Sequence, residues 1–533
     1  MLIPMSMTLQ NPDAMAAEII QLRDDKERLT NTVAHLQHRI DMLEKLIHGS
    51  KSERFVEQPT MQAETLPGFE APAAQSPVET EKIEYERKKT KREGGWGMLP
   101  DSLPVVEVVI PVPEDQKIGK DGNPLKFIGY ESFERLAWRS GLYKIRYKRE
   151  KYANPDDTLA GVVTAPHPGD LFDGKTGKEK FDASFIAHTI VAKTCDSLPL
   201  YRQSKALERE GIDVGRSTLS LLMANTASLL AAIYLAMRDE LLLRDVIHAD
   251  DSPVRLLDPG RGKCRTARIW IALSGVGPPL AVYEFTPDRK SEHPKKFFEK
   301  YSGTLVADDY SGYNCVFERP DESVLHAACW AHGRRKFHES LDSAKDDAQR
   351  ILALIRSLYD IEREAKEKAA GGTEFDLYTI RRKLRKRESA TIVAHLFEQM
   401  EKIADAHPPQ APIARAARYS LNLKEELSRF LHNPKLNIDN NPAENAIRVV
   451  ALGKKNWLFA GSEEGGQNLA ILLSLVETCK RNGINPHTYI EDVLTRVSKT
   501  PASRIAELIP HNWKLLREAE KAAATNAEPA SQA

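Results

Sequence analysis

Two acidic pairs each stand where an apolar run ends: Asp250-Asp251 after RDVIHA, and Asp308-Asp309 after GTLVA. Carboxylates gathered at the ends of buried strands repel one another and lose hydration, so they need either solvent or a bound cation. Hard divalent ions such as Mg2+ choose oxygen ligands of this kind and keep part of their water. One Asp pair at a strand end reads as a turn. Two pairs at matching places favour a metal site. A third carboxylate, Glu444, follows much later, in LNIDNNPAENAIRVV. There Asn441 suits an N-cap, Pro442 the first helical position and Glu444 the third, so on local grounds Glu444 reads first as the end of a capping box.

The elements that must position these groups are legible between 244 and 340. RDVIHADDSPVRLL reads as a strand with a polar end, and ARIWIALSG and PLAVYEFT as two more. SEHPKKFFEKY reads as a short amphipathic helix, GTLVADD as a strand stopping at carboxylates, and YSGYNCVF as a helix or turn. SVLHAACW reads as a strand, and AHGRRKFHESL opens a helix. In ribonuclease-H-like domains three antiparallel strands likewise precede a fourth laid parallel beside the first, which sets a carboxylate of strand one beside one ending strand four. Here those are Asp250 and Asp308. A helical stretch over 341–431 then separates them from Glu444. Cys315, His326, Cys329 and His332 have spacing that could suit zinc. Cys329, near the end of an apolar strand, is more simply a packed thiol, and His332 with Arg334 and Arg335 better fits a site edge facing DNA phosphates.

The chain has 533 residues, enough for several domains. Its 76 basic and 76 acidic residues cancel, so nucleic-acid affinity must come from local clusters. Five cysteines, none in a Cys-x-x-Cys pair, argue against a disulfide framework and fit a reduced cytoplasm. No apolar run approaches a membrane span, and MLIPMSMTLQ lacks the features of a secretory signal.

Over 16–48, Leu22, Leu29, Leu36 and Leu43 recur at heptad spacing with Ile19, Lys26, Val33, Ile40 and Ile47. β-branched residues at a and leucine at d favour a two-stranded parallel coiled coil. The reading by segment is a coiled-coil dimerisation segment over 1–55, a disordered linker over 56–96 and a small β-rich module over 97–165. A helical, helix-turn-helix-like DNA-binding region covers 166–240, with the second helix starting near Ser217. Residues 241–340 carry the strand and helix order described above, 341–431 read as helical, 432–500 carry the Glu444 helix and 501–533 is a tail. The fold class is multidomain, mainly α with α/β. In the β-rich module, Tyr143 and Tyr147 interleave with lysines and arginines up to Lys151, which suits either DNA backbone contacts or an exposed face.

Several motifs resemble the transposases of the bacterial IS66 family, in that family's order. They are LIHGSKSERF, SLPLYRQSKALEREGIDVGRSTLS, HADDSPVR, VADDYSGYN, HAACWAHGRRKF, LYDIERE, IDNNPAENAIR, ALGKKNWLFAGS and LSLVETCKRNGINPHTYIEDVL. The resemblance covers nearly the whole chain. It implies that Asp250, Asp308 and Glu444 are the metal-holding catalytic trio of a DDE transposase, using Mg2+ or Mn2+ as two ions. It also implies that 241–340 and 432–500 are two parts of a catalytic core around a helical insertion at 341–431. It implies double-stranded DNA as substrate (element ends and target), a homodimer or larger synaptic assembly, and accessory proteins encoded by the element. Arg216, Ser217, Arg334, Arg335, Lys336, Arg448, Lys454 and Lys455 are the candidate DNA contacts, and Trp457 either stacks on a base or packs in the core.

The chain departs from the family pattern at Asp251 and Ser252, where Glu and Thr are usual, and at Asn445, where Arg is usual. It also lacks cysteines over 103–160, where many members carry a zinc module. The alternative reading is a catalytically inactive DNA-binding repressor of its own element. A nuclease without strand transfer is a nearer variant. A structural coiled-coil protein would explain only the first fifty residues.

Overall fold

In the computed structural model the described residues are 103–527, apart from 119–122, 140, 156–160, 170, 173–179 and 259–261. The chain separates into two units, Met1–Arg92 and Glu93–Ala533, and the described residues all belong to the second. The expected coiled coil over 16–48 and linker over 56–96 lie outside them.

The first sheet contains β1 (Val105–Ile110), β2 (Lys126–Trp138), β3 (Leu142–Ala153) and β4 (Val162–Thr164). Strand β3 is central, antiparallel to β2 along its whole length; β1 (parallel) and then β4 (antiparallel) pair with its other edge. The alternating runs predicted β1 and β3, whereas β2 has no such clear alternation. The basic charges of β3 are matched within the sheet. Arg146 pairs with Glu134 (2.8 Å), Lys148 with Glu107 (2.6 Å), and Lys151 and Arg149 with Glu131 (3.4 and 3.6 Å). Of the two readings of this strand, DNA contact or exposed face, the pairing favours the second.

Three helices follow: α1 (Ala183–Thr194), α2 (Leu200–Arg209) and α3 (Arg216–Leu241). Asp182 caps α1 by accepting from the Ser184 amide at 3.0 Å. Gly211, at φ 76°, supplies the left-handed residue that ends α2 and turns the chain toward α3. Helix α3 is long and apolar enough to cross a membrane by length and composition, a feature that inspection of uninterrupted apolar runs does not flag. Its apolar residues recur every three or four positions, and Leu219, Leu222, Leu230, Ile233 and Met237 are buried in the main core beside Ile247, Val282 and Leu472.

The second sheet has five strands in the order β7-β6-β5-β8-β9. They are β5 (Val246–Asp258), β6 (Lys263–Ser274), β7 (Ala281–Thr286), β8 (Gly303–Val306) and β9 (Val324–Ala327). Strand β6 is antiparallel to β5 and β7, while β8 runs parallel to β5 and β9 parallel to β8. The first strand therefore lies beside the fourth, as the element order predicted. Short helices α4 (Glu292–Phe297) and α5 (Asn314–Phe317) flank β8 in sequence.

Period-two alternation gives the sheet two buried faces. Ile247, Ala249, Trp270, Ala272 and Val282 enter the core that contains α3. Val254, Leu256, Ile271, Leu273, Tyr283 and Phe285 enter another, with Ala443, Ala446, Val450, Leu469 and Leu473. The last five belong to α12 (Asn441–Trp457) and α13 (Glu463–Arg481).

Between the sheet and α12 the chain makes a helical layer. It contains α6 (Trp330–His338), α7 (Lys345–Lys368), α8 (Glu374–Leu384), α9 (Ala390–Ala406), α10 (Pro412–Asn422) and α11 (Lys424–His432), with one π turn at Arg385–Ser389. Within it Arg385, wholly buried, donates to both oxygens of Glu362 (2.6 and 2.8 Å) and to the carbonyls of Phe430, Asn433 and Leu436. That guanidinium fixes the segment leading toward α12. The chain continues with α14 (Pro486–Arg496) and α15 (Pro510–Ala527). The stretch 501–533, read as a tail, thus contains a helix, and Trp513 packs edge-on against Tyr489 at 5.3 Å.

Candidate functional site

Strand register decides where the first two carboxylates stand. His248 is the parallel partner of Val306. Two residues on, Asp250 lies inside β5, while Asp308 lies two residues past Val306, in the loop just beyond the end of β8. Asp250 shares the parity of Val254 and Leu256, so it points to the side covered by α12, the helix whose first turn carries Glu444. Burial pushes the Asp250 carboxyl up to about 7. The Asp251 amide donating to it at 2.8 Å works the other way, and the charges of Asp308, Asp251 and Glu444 add to the rise. Burial likewise raises Asp308, against the nearby guanidinium of Arg289.

Asp251 has a different job. On the opposite parity, 3% exposed, it receives Arg268 Nη1 at 2.8 Å and Arg289 Nη2 at 2.6 Å. Arg289 also stands 4.0 Å from Asp308 and lies over the Tyr310 ring at 3.6 Å. Its charge is thus held at the site by one buried carboxylate and one aromatic face. Asp309 is exposed. The two Asp pairs, alike in sequence, put one member at the site and use the other differently.

Glu444 is flanked by His332 Nε2 (3.8 Å) and Arg335 Nη2 (3.5 Å). It closes no capping box. The N-cap is Asn440, not Asn441, and the Asn440 side chain makes no cap hydrogen bond; Asp439 instead accepts from the Asn441 amide at 3.1 Å. Asn440 is spent on the sheet. Its Nδ2 donates to the Ala249 carbonyl (2.7 Å), its Oδ1 meets His248 Nδ1 (3.0 Å), and its amide donates to Cys329 Sγ (3.1 Å). With Nδ2 donating, Oδ1 must accept, which assigns the His248 proton to Nδ1. Burial holds His248 down to about 4, so it is neutral.

The other sequence candidates fall into separate places. Arg334 and Arg335 line an open cavity of about 980 Å³ with His338, Arg356, Tyr359 and Asn441. Arg448 is exposed one turn beyond Glu444. Lys336 lies over the Tyr419 ring at 4.2 Å, and Lys454 donates to the Pro253 carbonyl at 3.0 Å and to Ser252 Oγ at 3.2 Å, so both are engaged within the fold. Lys455 is exposed near the far end of α12. Arg216 is exposed at the start of α3, and Ser217 lines a groove of about 420 Å³ with Lys193, Trp457 and Phe459.

The four-residue zinc set does not assemble. The Cys315 thiol donates to the Ser291 carbonyl at 3.2 Å, and His326 stacks on Phe317 at 4.3 Å. Cys329 is the N-cap of α6 rather than a strand residue, and among the described residues its neighbours are His332 and Glu444.

The matched families settle what kind of protein this is. The family described as Transposase IS66 family matches residues 178–468, the IS66 C-terminal element matches 474–511, and the model described as Transposase C of IS166 homeodomain matches 35–108. This chain belongs to the IS66 transposase family. Uncharacterized protein y4qI of Sinorhizobium fredii is 30% identical over 518 residues, covering 94% of this chain and 93% of that protein. Uncharacterized protein y4jD of the same organism is 28% identical over 511 residues, covering 93% and 97%.

Around this candidate site, His248 and Asn440 lie within the motifs HADDSPVR and IDNNPAENAIR without being singled out by them, and Arg268 and Arg289 lie outside every motif. The one local signal was polarity out of place: a histidine inside the apolar run of β5, and asparagines in a segment that the fold buries.

The donor set suits a hard divalent ion by its chemistry, while the group at ligand spacing among the described residues joins Glu444 to Cys329 and His332. Asp250, Asp308 and Glu444 offer carboxylate oxygens only, the first two are raised by burial, and Glu444 Oε1 is a buried atom with no hydrogen-bond partner.

Proposed function

We propose that this IS66-family transposase binds the ends of its DNA element, cuts them and joins them to target DNA, with Asp250, Asp308 and Glu444 holding Mg2+ or Mn2+. The five-stranded sheet is read as a ribonuclease-H-like core into which α7–α11 are inserted. The observation that supports the proposal is the parallel pairing of β5 with β8, which brings Asp250 and the loop just beyond β8 together, with the charges of Asp308 and Glu444 both acting on the Asp250 carboxyl.

When bound, the metal supplies activation of the attacking oxygen and stabilisation of charge on the leaving one. The remaining work falls to the chain. Asp250 presents its carboxylate from within β5, and Asp308 from the loop that directly follows β8, the parallel neighbour of β5. Arg289, clamped by Asp251, keeps positive charge beside Asp308. Arg334, Arg335 and Arg448 neutralise phosphates near Glu444. Water cuts the phosphodiester at the element end and leaves a 3′-OH, which displaces a target phosphodiester oxygen in turn. Joining two ends requires at least two copies, which the coiled coil expected at 16–48 would supply.

The test is full-length protein with DNA bearing its own element's ends, with Mg2+ or Mn2+, against Glu444→Gln. Metal-dependent nicking and joining by the native protein alone, with equal end binding by both, supports the reading. Tight binding without cutting by either, persisting when the element's accessory proteins are added, replaces it with the repressor.

A further inference from the structure

We propose that Cys329, His332 and Glu444 form a site for a borderline-soft divalent ion of the zinc class, distinct from the Asp250–Asp308 pair and sharing Glu444 with it. One ligand atom from each of the three residues lies within 4.8 Å of the other two. Zinc–ligand bonds of roughly 2.0–2.3 Å in a tetrahedron demand ligand separations of roughly 3.3–3.8 Å, so a modest inward movement closes the site.

Two helix starts create the juxtaposition. Cys329 is the N-cap of α6 and His332 lies three residues on, so both face the same side of that helix's first turn. Glu444 sits in the first turn of α12. The two turns are bound together by the Trp330 amide donating to the Ile438 carbonyl (3.2 Å) and the Asn440 amide donating to Cys329 Sγ (3.1 Å). An amide aimed at the sulfur is what a metal-bound thiolate requires around it. Glu444 Oε1 and His332 Nδ1 are buried atoms with no hydrogen-bond partner, so the cluster is not satisfied by its own contacts.

The donor types choose the ion. Sulfur and imidazole favour zinc over magnesium, whereas the all-carboxylate set of Asp250 and Asp308 favours the reverse. Three protein ligands leave a fourth position for water. Glu444 can serve only one of the two sites fully, so zinc at Cys329 and His332 draws it away from the Asp pair and opposes Mg2+-dependent cutting. That consequence rests on the catalytic reading of Glu444; the site itself does not.

The experiment uses full-length metal-free protein without DNA, titrated with Co2+ as a spectroscopic stand-in for zinc. One equivalent is expected to give a thiolate-to-cobalt charge-transfer band, displaced by Zn2+ and not by excess Mg2+. Cys329→Ser should abolish the band, and His332→Ala should weaken binding on the order of a hundredfold. Asp308→Asn and Cys264→Ser should leave band and affinity unchanged. A band surviving in Cys329→Ser, affinity unaltered by His332→Ala, or a band lost in Asp308→Asn would overturn the site. Because the readout is a spectrum, it is independent of whether the protein cuts DNA. Should Cys329→Ser fail to fold, His332→Ala, altered at a half-buried position, decides the matter alone.

Discussion

Asn440 donates its side-chain amide to the carbonyl of Ala249 at 2.7 Å, and so ties the start of the helix carrying Glu444 to the strand carrying Asp250. The same side chain meets His248, which is wholly buried. Asn440→Ala strips partners from two buried polar groups, and its expected cost is roughly 2–4 kcal/mol. Thermal unfolding should register that loss. DNA cutting should fall further than end binding, because the position of Glu444 depends on the tether. Equal loss of both would make Asn440 a packing residue only.

The acidic pairs should respond unequally to substitution. Asp251 is clamped between Arg268 and Arg289 at 3% exposure, so Asp251→Asn is expected to cost on the order of 3 kcal/mol. Asp309, exposed, should tolerate Asn within about 0.5 kcal/mol. Denaturant midpoints of the two variants compare them directly.

Basic residues should divide by whether the fold already uses them. Arg334 and Arg356 face the open cavity near Glu444. Replacing either by Ala should weaken end binding and lower the dependence of log affinity on log salt by about 0.9 for each phosphate left without its cation. Lys336, stacked on Tyr419, should leave that slope unchanged when replaced by Met. A series of binding isotherms at several salt concentrations reads both.

Glu362 serves two buried guanidiniums, Arg385 at 2.6 Å and Arg381 at 3.0 Å, so it should be the least dispensable member of this cluster. Glu362→Ala leaves two buried guanidiniums, Arg381 and Arg385, short of their counter-charge, at an expected cost of about 3–5 kcal/mol. The double variant Glu362→Leu, Arg385→Met should be less destabilised than the sum of the two singles, in a double-mutant cycle followed by chemical denaturation.

Acid should destabilise the fold through two histidines. Burial holds His188, stacked on Trp138, and His248 down to about 4, against an ordinary value of 6.5. Between those limits the unfolded chain binds protons that the folded chain refuses, so stability falls as pH falls from 6.5 and the loss is complete below 4. For His248, fully buried, the whole shift corresponds to roughly 3 kcal/mol. The variant His188→Gln should reduce the slope of stability with pH in that window by about one proton. An unchanged slope in urea midpoints measured from pH 7 to 4 would show that His188 titrates normally.

The sheet was legible from the sequence because each of its strands contains a short apolar run, although β5 continues through Asp250 and Asp251 to Asp258 instead of stopping at them. The order of those runs fixed which strand could lie beside β5. That Asp250 and Asp308 stand near enough for one charge to act on the other followed from that order. The place of Glu444 did not, since its local surroundings read as a helix cap; only the motif around it pointed further, and the tertiary use of Asn440 explains why no cap forms. Arg268 and Arg289 were opaque for a simpler reason. A surface arginine and one pairing with a buried aspartate look the same in sequence, and the distinction is made by the face on which Asp251 emerges. Cys329 looked like the end of a strand because the run SVLHAACW stays apolar through the turn where α6 begins.

Helices α7–α11 are threaded through the chain between the second strand-end carboxylate and Glu444. During synthesis the ribosome therefore delivers Asp250 and Asp308 long before it delivers the helices that cover their face of the sheet. Until α12 and α13 emerge, Tyr283, Phe285 and Ile271 have no partners on that side, and the nascent chain is both sticky and unarmed. A fragment released early carries two of the three proposed ligands and lacks the third. Interrupted translation would then yield pieces that chaperones or proteases must handle, but none able to carry out the proposed DNA cutting.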